Sequence, residues 1–104
     1  MGDTHAVDED LTKAVVLWTG HGSRSWPDRD DAALVQEFGE SRGLHLLVTL
    51  RSLEADFYRS DARLTESDLQ AIGDRASEEF RSRHPDAPPV LVDALAWCYS
   101  FDCK

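Results

Sequence analysis

A chain of 104 residues with 20 acidic and 11 basic side chains carries a net charge of −9. Polyanions repel such a surface, which argues against generic binding to nucleic acid or to an anionic membrane and leaves a basic protein surface as the better-matched partner. Its apolar content of 41%, including three Trp and four Phe, is that of a folded domain, and a domain of this length buries roughly 60–70% of its unfolded surface around one core.

The opening MGDTHAVDED is acidic and polar, unlike a secretory leader, and no apolar run is long enough to span a bilayer, so a cytoplasmic protein is expected. Residues 1–12, with Asp3, Asp8, Glu9 and Asp10, offer little to bury and read as a mobile acidic tail ahead of a single helical domain, 13–104. Residues 14–18, AVVLW, form a short apolar run with two β-branched residues. They fit an extended arm laid across helices or a lone strand, and five residues are too few for periodicity to decide. Residues 19–27, TGHGSRSWP, hold two Gly, two Ser and a Pro and read as a loop.

From Pro27-Asp28 a first helix is expected, capped by Asp28 or Asp30, with Leu34, Val35 and Phe38 on its apolar side and Gly39 as its stop. Gly43 is read as the separator from the next segment, residues 44–60, around which the fold is organised. There Leu46, Leu50, Leu53 and Phe57 recur at steps of four, three and four, which places them on one arc of a helix. Thr49, Ser52, Asp56 and Arg59 fall on the other side. Thr65 and Asp68 resemble a capping box ahead of a third helix, whose apolar face is Leu69, Ile72, Ala76 and Phe80. Gly73 shares that face, and a close helix crossing would explain a glycine there. His84-Pro85 ends this helix and Pro88-Pro89 opens a fourth. Residues 90–101 are apolar almost all round, although LAWCYSF also has the aromatic content of a strand. The expected fold is mainly α: about four helices packed around the central amphipathic helix at 44–60, with an extended N-terminal arm. The alternative is α/β, with short strands at 14–18 and 94–101.

Few residues point to chemistry. The run GHGSR, residues 20–24, combines glycines that let backbone approach a ligand with His21, Ser23 and Arg24 as donors, close to a helix start. In those five residues it resembles the opening of the small tetrapyrrole chelatases, whose histidine at that place binds metal. The resemblance implies a metal-ligand role for His21 and a fold of alternating strands and helices with a second histidine. Here the segment that follows reads as helix, and His45 has no acidic cluster around it. His5, His21, His45 and His84 lack ligand spacing, so no metal site and no cofactor are expected. Cys98 and Cys103 are expected to remain thiols, since pairing across five residues would fray a helix. The acids of the second and third predicted helices alternate with Arg and read as solvated partners rather than a catalytic pair. No residue is assigned a catalytic role. Trp26, in a polar loop, is the candidate contact anchor. The functional expectation is a non-catalytic binder of another protein: a regulator, an adaptor or an immunity-type inhibitor. The alternative is a small enzyme or ligand-binding domain that uses His21, Ser23 and Arg24.

Overall fold

The computed structural model describes residues 3–102, with side chains from residue 9 onward. Among the described residues six helices follow one another: α1 (Asp3–Thr19), α2 (Asp31–Phe38), α3 (Glu40–Phe57), the single turn α4 (Ala62–Thr65), α5 (Leu69–Arg83) and α6 (Pro89–Asp102). No strand occurs among the described residues, so the fold is mainly α and the α/β alternative does not hold. Four long helices touch in a ring, α1 on α3, α3 on α5, α5 on α6 and α6 on α1, while α2 leans against α1 and α3.

The extended arm is corrected to helix. Residues 14–18 are the last turns of α1, and Leu11, Ala14, Val15 and Trp18 share the face turned to the core. A window opening at Ala14 omits Leu11 and with it the helical period. The β-branched Val15 and Val16 cost a helix only a few tenths of a kcal/mol each, which packing readily overrides. The boundary drawn at residue 12 falls inside this helix, while Met1 and Gly2 lie outside the described residues. Residues 94–101 are likewise helical, and Leu91, Ala94, Leu95, Cys98 and Tyr99 of α6 are buried.

The facing of the central helix is as its spacing requires. Leu46, Leu50 and Phe57 are buried, Leu53 is half-buried against the core, and Ser52 and Arg59 are exposed. Its start is earlier than residue 44, however. Gly43 lies inside α3, where it allows that helix to press on α2, and Gly39, at φ +87°, makes the bend between the two. The opening of α2 moves the other way, to Asp31, with Asp30 as the cap accepting from the Ala33 amide at 3.2 Å. The capping box at Thr65 is also corrected. Thr65 closes α4, and Asp68 caps α5 by accepting from the Gln70 amide. Leu69, placed in the core by its period, is 38% exposed in the first turn of α5.

Aromatic side chains close the centre. Phe57 meets Phe80 and Tyr99 at ring-centroid distances of 5.2 and 5.8 Å, a spacing suited to tilted and edge-on ring contacts. The Tyr99 hydroxyl donates to the Ser60 carbonyl at 2.7 Å, which satisfies its polar end inside the core.

Candidate functional site

The loop after α1 is held by the carbonyls that the helix leaves without partners. Asp28 and Asp30 donate their backbone N–H groups to the carbonyls of Thr19 and Trp18, at 2.9 and 2.8 Å. Gly20, at φ +79°, ends α1 by donating to Val16, and the amides of Ser23 and Arg24 both bond the Gly20 carbonyl at 2.9 Å. His21 donates its own amide to the Thr19 hydroxyl. The backbone donors that an anion would need at Gly20, His21, Ser23 and Arg24 are therefore engaged within the turn.

The side chains of the turn have separate partners. The His21 ring lies 5.5 Å from the Trp97 ring of α6. Arg24 instead pairs with Asp28 and, at 3.8 Å, with Asp30. Ser23 is exposed, and Trp26 is 61% exposed at the tip of the same loop. Among the described residues, no group of three or more His, Cys, Asp or Glu is placed to hold a metal ion. The side chain of His5 and all of Cys103 lie outside the described residues, and Cys98 is a buried free thiol.

Behind the loop, Arg29 is a structural clamp. Its guanidinium pairs with Glu54 of α3, reaches the Tyr58 hydroxyl at 3.4 Å, and lies 5.4 Å from the Trp18 ring centre. The Trp18 indole N–H donates to Asp31 at 2.8 Å. Tyr58 in turn donates to Asp102 at 2.5 Å, tying α3 to the end of α6. Burial, then the hydrogen bond to Asp102, raises the Tyr58 phenol, and burial pushes the nearby Cys98 thiol up to about 12. A thiol so poised is a poor nucleophile at neutral pH.

A different set of groups is left without partners. Between α5 and α6 runs an open groove of about 520 Å³. The two helices approach closely at Gly73, where an added β-carbon would lie 2.8 Å from the Ser100 hydroxyl oxygen. Asp74, Glu78 and Asp93 line the groove beside the half-buried Trp97, and none of the three pairs with a basic side chain among the described residues. Asp74 accepts only from Gln70, at 3.0 Å. Arg81 is the one basic residue in the lining. Sequence reasoning treated Asp74 and Glu78 as solvated acids and overlooked Asp93 and Ser77. The available signal was a pair of small residues one turn apart on each helix, Gly73 with Ser77 and Ala96 with Ser100.

No family model, curated protein or solved structure matches this chain.

Proposed function

We propose that the protein acts by non-catalytic binding to another protein, as a regulator, adaptor or immunity-type inhibitor with an acidic contact face. The carrying observation is the α5/α6 groove, where three carboxylates without ionic partners stand beside an accessible indole. Its lining contains no His, so the Ser77 and Ser100 hydroxyls have no imidazole base beside them in the groove. The rival reading, an anion or metal site built on His21, Ser23 and Arg24, is weakened because the amides are engaged and the Arg24 charge is already matched by Asp28 and Asp30.

The test is recovery of the chain, with its partners, from the cells that make it, followed by reconstitution of each complex from purified components. The expected result is a defined, saturable complex with one protein. Absence of any reconstituted complex, together with turnover or tight binding of a small molecule, would replace this reading with the ligand-site one.

A further inference from the structure

The central helix α3 is apolar on two sides. Leu46, Leu50, Leu53 and Phe57 pack on the core, and a second set of residues faces away from it. Ser41, Leu44, Val48, Arg51 and Ala55 recur at steps of three, four, three and four, and all five are exposed. That spacing keeps side chains on one narrow arc, the kind of seam along which two helices pack. Trp26, Leu44, Val48, Leu64 and Leu69 are the exposed large apolar side chains among the described residues. Of these, only Leu44 and Val48 stand one turn apart on one helix.

Charge at the edge of the arc is complementary to itself. Although the chain has 20 acidic residues, none lies on the arc. Arg51, at its edge, pairs with Asp31 yet keeps 59% of its side chain exposed, so its guanidinium has donors left for a second carboxylate. Glu40 lies about three turns earlier on the same edge. It is exposed and has no ionic partner among the described residues. Two such helices laid antiparallel about a twofold axis bring like edges together. With Leu44 of one copy against Val48 of the other, Arg51 of each arrives beside Ser41 and Glu40 of the other. The twofold makes every contact twice.

We propose that the outward face of α3 is an interface with a second copy of this chain, the two helices antiparallel, Leu44 packed on Val48 and Arg51 paired with Glu40 across the axis. Charge selects both occupant and direction. A parallel pair would set Arg51 on Arg51 and Glu40 on Glu40, and a basic partner would be repelled by Arg51. The helix of 18 residues is about 27 Å long, and one such pair buries less than a standard interface. The dimer is therefore weak and depends on concentration.

Sedimentation velocity of the full chain, from micromolar to millimolar concentration, tests it. The weight-average mass is expected to rise from monomer toward dimer. Val48→Glu should raise the dissociation constant more than about tenfold, while far-UV circular dichroism and melting temperature at low concentration stay level, as for a solvent-facing site. Arg51→Glu sets two carboxylates together at each end and should weaken association by about tenfold. The exchange of Glu40→Arg with Arg51→Glu should restore it, which a purely structural role of Arg51 within one chain would not do. A chain still monomeric at millimolar concentration, a dimer indifferent to Val48→Glu, or an exchange variant no tighter than Arg51→Glu alone would overturn the proposal. None of these results touches a complex with a different protein, which stands or falls on its own reconstitution.

Discussion

Gly43 of α3 lies against the Leu34 carbonyl of α2: a β-carbon placed on it would sit 2.7 Å from that oxygen and 2.8 Å from the Val35 α-carbon. Both neighbours are backbone, so neither can swing aside. Gly43→Ala should therefore part the two helices, at a cost of about 1–3 kcal/mol, the usual range for overpacking. Gly73→Ala is the contrasting case. Its added carbon meets only the Ser100 hydroxyl, which can rotate away, and alanine gains about 1 kcal/mol over glycine in a helix interior. Urea melts of the two variants should move in opposite directions, or Gly73→Ala should stay near the parent. Equal losses would mean that backbone and side-chain obstacles count alike here.

The same two glycines show what the sequence made legible. The core face of α3 was readable because Leu46, Leu50, Leu53 and Phe57 sustain the helical period over three turns. Gly73 was readable as a crossing point because it falls on a face already marked by Leu69 and Phe80. Gly43 was not, since a glycine near a helix start serves equally as a separator or as a contact, and only the position of α2 decides. The run at 14–18 failed for want of length, its period becoming visible only with Leu11. For the groove the difficulty is different in kind. Asp74, Glu78 and Asp93 are ordinary surface acids on their own helices, and become a site only through the pairing of α5 with α6.

Cys98 and Tyr58 make the fold sensitive to alkali. Burial raises both groups, Cys98 to about 12, so each native form is the protonated one. Their contribution is fully present below the unfolded-state values, about 8.5 for a thiol and 10 for a phenol, and is lost as pH rises above them. Stability measured in urea should therefore fall from about pH 9 upward. The fall should be shallower in Cys98→Ala and in Tyr58→Phe. In a Cys103→Ser background, Cys98 should resist a thiol reagent in the native state at pH 8 and react at once in denaturant. Rapid native labelling would contradict its burial.

Asp56 gives the opposite dependence. Arg83 donates from Nε to its carboxylate at 3.0 Å and from Nη2 to its carbonyl at 2.9 Å, and the His84 Nε2 atom is 2.7 Å from the same carboxylate. The Arg83 hydrogen bond foremost holds the Asp56 carboxyl below its usual 3.8. A lowered native value contributes stability above the unfolded pKa, and that stability is lost as pH falls through the native one. Asp56 is half-buried but its partners Arg59 and Arg83 reach it from the surface, so Asp56→Asn should cost only about 1 kcal/mol at pH 7. The parent and variant curves should converge below about pH 4, where the parent side chain takes up its proton. A difference that persists undiminished at pH 2 would assign the effect to shape rather than charge.

At the turn after α1, strain and ligand chemistry make separable predictions. Gly20 sits at φ +79°, a region that costs an ordinary residue about 1–2 kcal/mol, and its amide and carbonyl are both used in ending the helix. Gly20→Ala should lower stability by at least that amount, since the added carbon would also lie 2.6 and 2.8 Å from Cδ and Cγ of Arg24. Arg24→Ala removes only exposed pairs with Asp28 and Asp30 and should change stability by less than about 0.5 kcal/mol. If the turn were instead a ligand site, its ligand would stabilise the fold by about 2.7 kcal/mol at a hundredfold excess over the dissociation constant. A thermal-shift screen with inorganic phosphate, divalent metals and tetrapyrroles distinguishes the two. No shift is expected, because the backbone donors face inward and the guanidinium is neutralised by its aspartates. A reproducible stabilisation that disappears in His21→Ala would put the chemistry of this protein at the glycine turn.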